Sequence, residues 1–226
     1  MSGYSQDSHG TGHRGTPAPG SIAHTDRSPV IEDEVRRLLG DGDVHAAVTA
    51  VIRGLGPEVL GFLHVLTGNP NDAGDVFSDL CVRIWKSLQG FRGDSSLRTW
   101  TYVLARRAFY DHRDQRAAWR ERHTPLTGDQ ELDATIARVR THSTSQLREQ
   151  RASRVQRLRA RLTADDQALL TLRIDRNLEW RDIAQVLADA PISDAEQFTR
   201  AAAALRKRFE RVKAALRRMA SEDSDE

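Results

Sequence analysis

The sequence predicts an all-α protein made of two helical domains joined by a flexible linker. From Val30 onward, apolar residues recur every three or four positions, as the buried stripe of an amphipathic helix requires. No stretch alternates apolar and polar residues in the way that a half-buried strand does. Between residues 123 and 145 the pattern weakens, and proline, glycine, serine and threonine become frequent, as in connections between domains.

The two ends of the chain lack the apolar residues that a core needs. Residues 1–29 are mainly glycine, serine, threonine, histidine and proline. We expect a disordered tail there, because such a segment buries too little surface to offset the entropy lost on ordering. Residues 221–226 carry four acids and should form a second, frayed tail. This assigns one domain to residues 30–122, a linker to 123–145 and a second domain to 146–220.

Turn and capping residues divide the first domain into five predicted helices. They span Val30–Leu39, Val44–Leu55, Pro57–Leu66, about 72–89, and Leu97 to about Arg122. Pro57 suits a first helical position. Asn71 or Asp72 can cap the fourth helix, and Ser95 or Ser96 can cap the fifth.

The second domain regains helical periodicity from residue 147 to about 219. Thr163 can cap one of its helices, because Asp166 follows three residues later. Ser193 and Glu196 have the spacing of a capping box for the last helix. A short apolar stretch at 132–139 predicts one weak helix within the linker.

Composition excludes several classes of protein. Cys81 is the single cysteine, so a disulfide within the chain and a zinc ribbon are both excluded. The eight histidines show no zinc-ligand spacing beside a carboxylate. No apolar run approaches the roughly 20 residues that span a bilayer. We expect a soluble, cytoplasmic protein with no metal and no cofactor.

The first group of candidate functional residues lies at 72–122. One face of the fourth predicted helix is acidic, with Asp72, Asp75 and Asp79. The fifth interleaves tyrosine, phenylalanine and tryptophan with several arginines. Arginines contact phosphates and exposed rings stack on unpaired bases, so the combination suits single-stranded nucleic acid. The alternative is a core role for the aromatics, which we expect for Trp85, Trp100 and Phe109.

The second group ends in a basic helix. Residues 162–187, reading LTADDQALLTLRIDRNLEWRDIAQVL, contain two short apolar faces, and Leu169, Leu172 and Ile174 belong to the first. Residues 200–218 then hold eight basic residues against one acid. A helix with this charge suits the major groove of DNA. An ordinary solvated helix is the alternative.

The two groups together resemble extracytoplasmic-function sigma factors of the sigma-70 family. Residues 72–85, DAGDVFSDLCVRIW, are similar to the DAEDLVQEVFLRLW segment of region 2. Residues 91–106, FRGDSSLRTWTYVLAR, are similar to the FRGDSxFxTWLYRIAR stretch that follows it. Residues 162–187 resemble the opening of region 4, LPxxxRxxLxLRxxxxLSYEEIAxxL. The resemblance implies a region 2-like helical bundle and a region 4-like helix-turn-helix.

The resemblance implies three sets of binding residues. Those that would dock on the β′ clamp helices of core RNA polymerase are Asp75, Ser78, Asp79, Arg83 and Trp85. Those that would bind the melted minus-ten element are Arg92, Gly93, Asp94, Ser95, Ser96, Trp100, Arg106, Arg107, Tyr110 and Arg113. Those that would bind the minus-thirty-five duplex are Arg200, Arg206, Lys207, Arg208 and Arg211.

The chain also departs from the family pattern. Gly74 stands where glutamate is usual, Ser78 where glutamine is usual, and Arg107 where asparagine is common. The stretch 188–203 is longer than the family's tight turn. The base-reading helix therefore begins either near Ala204 or near Ser193.

These patterns predict a non-enzymatic sigma factor that is monomeric when free. Its expected partners are core polymerase, through the β′ clamp helices and the β flap, and promoter DNA, with an anti-sigma factor as a possible further partner and no membrane. The alternative is a stand-alone helix-turn-helix regulator, which usually dimerises and binds palindromic duplex DNA unaided. An enzyme is disfavoured, because the best candidate pairs, Asp111-His112 and Asp165-Asp166, have simpler roles as helix surface or cap.

Overall fold

A computed structural model of the chain describes residues 28–119, 131–140, 154–190, 192 and 194–222. Within these residues the regular structure is helical and no strand occurs, as the sequence predicts. The helices are α1 (Ser28–Gly40), α2 (Val44–Thr67), α3 (Pro70–Ser87), α4 (Leu97–Trp119), α5 (131–140), α6 (Arg154–Ala160), α7 (Ala164–Leu170), α8 (Trp180–Leu187) and α9 (Ala195–Glu222). α1 and α9 thus extend slightly into the predicted tails, whose remaining residues, 1–27 and 223–226, lie outside the described part.

Helix α2 is continuous, whereas the sequence predicts a break before Pro57. The proline lies inside a helix of 24 residues. An interior proline costs about 3 kcal/mol, because it removes a backbone hydrogen bond. Side chains on both sides of it, including Leu55, Val59 and Leu60, are buried in the core, and their burial offsets that cost. Most of α2 is enclosed in this way, although it is long and apolar enough to cross a membrane.

The start of α3 is fixed by Asn69 and not by Asn71 or Asp72. The Asn69 side-chain oxygen accepts a hydrogen bond from the Asn71 amide at 2.8 Å. Pro70 then occupies the first turn, where a missing N–H has no cost. The sequence prediction placed this start two or three residues too late.

Helix α4 begins where predicted, with Ser96 as its capping residue. The Ser96 hydroxyl accepts from the Thr99 amide at 3.1 Å. A second partner comes from α1, because a Glu32 carboxylate oxygen accepts from the Leu97 amide at 2.9 Å. The first helix of the chain therefore helps to position the start of α4.

The predicted linker contains the expected helix, and that helix is packed into the core. Leu132 and Ile136 of α5 are fully buried, and Val139 is nearly so. They belong to the same cluster of apolar side chains as α2 and α3. Residues 131–140 are therefore an ordered part of the fold and differ from the flexible connection that the composition predicts. The remaining linker residues, 123–130 and 141–145, lie outside the described part.

The second half of the chain contains the predicted helix pair and a long last helix. Thr163 caps α7 as expected, accepting from the Asp166 amide at 3.2 Å. Ile174 is exposed, so its predicted place on the apolar face is wrong. It lies in a π-helical turn, Thr171–Asp175, which rotates the side chains relative to a regular α-helix.

One continuous helix, α9, covers both predicted starts of the recognition helix. Its cap is Asp194, whose carboxylate accepts from the Glu196 amide at 3.0 Å. The proposed cap Ser193 lies outside the described residues. Ala204 falls in the middle of the helix, so the earlier of the two predicted starts is the correct one.

The two halves share a single apolar cluster. Ala168, Leu169 and Leu172 from α7 and the turn after it join the core built by α2, α3 and α4. A polar contact reinforces this packing, because the Arg176 guanidinium donates to the Glu58 carbonyl of α2 at 3.1 Å. An added Cβ on Gly61 would lie 2.8 Å from that guanidinium, so the glycine makes the approach possible.

Candidate functional site

The predicted polymerase-binding residues lie together on α3. We call Asp75, Ser78, Asp79, Arg83 and Trp85 the docking face. Arg83 links α3 to α4, because it bonds Asp79 at 2.7 Å and Asp111 at 2.7 Å. Trp85 is half-buried and meets the His45 ring edge-on, with 6.0 Å between ring centroids. The sequence expectation of a core role for this tryptophan is met in part.

Helix α5 covers one end of the docking face. Ser78 is buried, and its hydroxyl accepts a hydrogen bond from Arg140 at 2.9 Å. The same guanidinium lies 3.6 Å from a carboxylate oxygen of Asp75. Cys81, on the same side of α3, is fully buried, and burial raises the pKa of its thiol far above the usual range. Ser78 is therefore closed to any partner in this arrangement.

The loop before α4 forms the exposed part of the predicted minus-ten surface. Arg92, Gly93 and Asp94 are exposed, and Arg92 pairs with Asp94 at 3.3 Å. Gly93 has a φ of 78°, a left-handed conformation that favours glycine. Ser95 and Ser96 complete the loop. Its backbone therefore turns sharply at Gly93 and leaves its polar groups in solvent.

Trp100 packs behind this loop. Its ring lies 5.4 Å from that of Phe91, and it is half-buried. With Arg107 it lines a cavity of about 550 Å³, bounded on the other side by Arg181, Gln185 and Phe198 of the second half. The loop thus borders a partly open, partly polar cleft between the two halves.

Further along α4, two predicted DNA-binding residues already have partners in the second half. The Arg106 side chain is buried, and it donates to the Ala188 carbonyl at 3.2 Å and to Asp189 at 3.3 Å. The Tyr110 hydroxyl donates to Asp165 at 2.6 Å. Burial and this carboxylate raise the pKa of Tyr110.

Tyr110 also lies between two guanidinium groups. Arg106 and Arg113 are each 4.6 Å from its ring centroid. Both cations favour the negative face of the ring. Arg107 and Arg113 are exposed. We call the loop 92–96 and the named side chains of α4 (Trp100, Arg106, Arg107, Tyr110 and Arg113) the strand face.

The predicted duplex-binding residues lie along α9. Arg200, Arg206, Lys207 and Arg211 are exposed, and we call this set the basic face. The fifth member, Arg208, is half-buried and bonds Asp166 of α7 at 2.7 Å. Arg206 approaches the Trp180 ring of α8, with 5.6 Å to its centroid. Arg208 therefore fixes α9 against α7, and the other residues are accessible to DNA.

Sequence reasoning missed the residues that connect the three faces. Glu32, Arg140 and Asp165 each bond a group that belongs to a predicted surface or supports one. A local motif contains no signal for them, because their partners lie between 55 and 65 positions away. For Arg140, the hint in the sequence was the pair of departures at Gly74 and Ser78, because both positions lie against its guanidinium.

Comparison with known proteins identifies part of this architecture. A family model described as sigma-70 region 2 matches residues 51–120, from the middle of α2 to the end of α4. The matched part contains the whole docking face and strand face. It does not reach α5 or the second half.

Two curated relatives extend the comparison. The chain is 42% identical over 48 residues to "ECF RNA polymerase sigma factor SigG" of Mycobacterium tuberculosis; these residues are 21% of this chain and 13% of that protein. It is 26% identical over 134 residues to "RNA polymerase sigma-H factor" of Pseudomonas aeruginosa, 58% of this chain and 69% of that protein. The first match thus spans only a small part of the relative's length.

Proposed function

We propose that the chain is a sigma factor of the sigma-70 family, in its extracytoplasmic-function group. In this role it binds core RNA polymerase and directs it to promoters, without catalysing a reaction itself. It acts in the cytoplasm, where the polymerase is. The proposal divides the chain into the two functional domains that the sequence predicts, at 30–122 and 146–220.

The observation that carries this proposal is the arrangement of α3 and α4. The acidic docking face and the aromatic, basic strand face lie on adjacent helices, tied by the Arg83 bridge to Asp79 and Asp111. A protein that holds polymerase with one helix and melted DNA with the next needs this proximity. We propose that the docking face binds the β′ clamp helices of the polymerase.

The strand face would stabilise the separated strands of the minus-ten element. Arg107 and Arg113 contact phosphates, and the Gly93 loop with Trp100 receives a base that has left the stack. Binding energy from these contacts favours the melted state over the duplex. Strand separation would thus be favoured by differential binding, with no covalent chemistry.

The basic face would bind the minus-thirty-five duplex. Its exposed cations lie on one long helix whose start packs against α8, as a recognition helix does in a helix-turn-helix. Arg206, Lys207 and Arg211 are the residues that we place nearest to the DNA. The second domain would also contact the β flap, and an anti-sigma factor would compete for these surfaces.

Run-off transcription tests the proposal directly. The purified chain is combined with bacterial core polymerase and fragmented genomic DNA, and transcript starts are mapped. We expect discrete starts that share two spaced upstream motifs. Absence of core-dependent starts, together with tight binding of the chain alone to duplex DNA, would instead establish a stand-alone regulator.

A further inference from the structure

We propose that helix α5 is a built-in clasp that covers the Asp75 and Ser78 end of the docking face in the isolated chain and must leave before polymerase binds. The inference rests on the proposed function, because it takes α3 to be the polymerase-binding helix. The contact between α5 and α3 is not part of the polymerase-binding role predicted for the residues of α3. Three observations on α3, α2 and α5 support it.

The first observation is that α5 uses polar groups of the docking face itself. Arg140 donates to the Ser78 hydroxyl at 2.9 Å and lies 3.6 Å from Asp75. Ser78 in turn donates to the Gly74 carbonyl at 3.0 Å. A charge-assisted hydrogen bond to a buried hydroxyl is stronger than one between neutral groups. Polymerase and α5 therefore compete for the same atoms.

The second observation is that glycines in α2 and α3 make room for the clasp. An added Cβ on Gly74 would lie 2.8 Å from the Arg140 guanidinium. An added Cβ on Gly56 would lie 3.2 Å from a methyl group of Val139. A glycine inside a helix costs about 1 kcal/mol relative to alanine. Both glycines weaken their own helix. Gly74 makes room for Arg140 of α5, and Gly56 makes room for Val139 of α5 and for Phe77 of α3.

The third observation is that α5 is anchored by apolar packing as well as by charge. Leu132 and Ile136 are fully buried, and Val139 is nearly so. The opposite side of the helix is exposed, with Glu131, Ala134 and Arg138 in solvent. The short apolar stretch seen in the sequence is thus buried by docking on α2 and α3.

Closing the docking face lowers the apparent affinity for polymerase. Only the fraction of molecules with α5 released can bind, so the measured dissociation constant rises as that fraction falls. Any change that weakens the clasp without touching the docking carboxylates should therefore tighten binding. Loss of a contact that only stabilises the fold would instead leave polymerase binding unchanged or weaken it.

Two variants test this with opposite effects on stability. Arg140→Ala removes the charged partner of Ser78 and Asp75, and should destabilise the fold slightly. Gly74→Ala adds a methyl group that displaces the Arg140 guanidinium, while it raises the helix propensity of α3. Both should bind core polymerase about three- to tenfold more tightly than the parent chain. Arg138→Ala is the matched control, because Arg138 lies on the same helix and bonds only within it.

The single cysteine reports on the clasp without polymerase. Cys81 is buried one turn beyond Ser78, so an open clasp should speed its alkylation by iodoacetamide. We expect faster labelling in the Gly74→Ala chain, which retains Arg140, and no change in Arg138→Ala. Arg140→Ala is unsuited to this measurement, because the Arg140 charge lowers the pKa of the thiol and its loss would itself slow alkylation. A labelling rate in Gly74→Ala equal to the parent's would overturn the clasp.

The binding experiment separates the clasp from the proposed function. If the parent chain binds core polymerase and neither variant binds more tightly, the clasp is overturned and the sigma factor role stands. If no chain, parent or variant, binds core polymerase, the proposed function fails and the inference fails with it. Tighter binding by both variants, with the control unchanged, supports the inference.

Discussion

The strand face and the basic face are both proposed DNA-binding surfaces, yet they differ in how far their residues are bonded within the chain. On the strand face, Arg106 is buried and Tyr110 is half-buried, and both bond residues of the second half. On the basic face, Arg206 and Lys207 are exposed to solvent. The first surface must lose internal contacts before it can bind DNA, whereas the second carries no such cost.

The difference suits the two kinds of DNA that we propose these surfaces bind. The strand face has residues bonded within the chain, and the basic face is exposed. Melted DNA exists only where polymerase holds the promoter, so a surface for it has no use in the isolated protein. Duplex DNA is present everywhere, and we expect the basic face to attract it through its charge. Internal pairing of Arg106 with Asp189 and Ala188 would also prevent non-specific binding by the strand face.

The largest expected effect comes from reversing the charge of the docking face. Replacing Asp75 and Asp79 with arginine puts two cations where we propose that polymerase binds. We expect core association to fall by about 100-fold or more, because like charges at an interface cost several kcal/mol. Fluorescence anisotropy with labelled protein measures the affinity, and circular dichroism checks the fold.

A matched control places the same charge change elsewhere. Asp33 and Glu34 are exposed on α1, away from the docking face, and their replacement by arginine should leave core binding nearly unchanged. Equal loss in both double variants would point to a general charge effect. Normal binding by the Asp75 and Asp79 variant would place the docking surface on another helix.

A smaller effect is expected from the basic face. Replacing Arg206, Lys207 and Arg211 with alanine should weaken promoter binding by the holoenzyme about tenfold and reduce its salt dependence, because each lost phosphate contact lowers the slope by about 1. Core binding should not change. Arg208 stays in place because it bonds Asp166 at 2.7 Å and supports the position of α9.

Arg217 and Arg218 provide the comparison for this variant. They are exposed near the end of the same helix, beyond the residues that we place on DNA. Their replacement by alanine should have less effect on promoter use. If the triple variant transcribes normally, the base-reading residues lie nearer the start of α9, at Gln197 and Arg200.

Features that depend on neighbours in the chain could be predicted from the sequence. Helix α3, the loop after it and the cap at Ser96 depend on neighbours in the chain, and their patterns located them to within a few residues. The cap of α7 at Thr163 is local in the same sense. Periodicity and capping rules are sufficient for such features, because each partner lies within one or two turns.

Long-range packing accounts for what the sequence did not predict. The break expected at Pro57 is absent because burial on both sides of α2 outweighs the proline. Arg140 belongs to a segment that composition marks as a linker, yet its partners are on α3, 62 positions away in the case of Ser78. The sequence contained a trace of this contact in Gly74, although only the structure shows what the missing side chain makes room for.

The smallest expected effect concerns the contact that holds α8 against α4. Asp182 is half-buried there; burial raises the pKa of its carboxyl, while a hydrogen bond from Thr99 lowers it. Because the net shift is upward, the folded chain retains this proton at pH values where the unfolded chain has lost it. The resulting stabilisation is complete at acidic pH and is lost as the pH rises through the folded value.

Asp182→Asn should remove this loss of stability at higher pH, because the amide oxygen still accepts a hydrogen bond from Thr99 and carries no charge. At pH 7 we expect the melting temperature to rise by about 1–2 °C, and stability on the acidic side of neutrality to depend less on pH. Asp114→Asn, at an exposed carboxyl of α4, should change neither quantity. A lower melting temperature at pH 7 would mean that the charged form stabilises the contact. The covered strand face would then be held by electrostatic attraction as well as by packing.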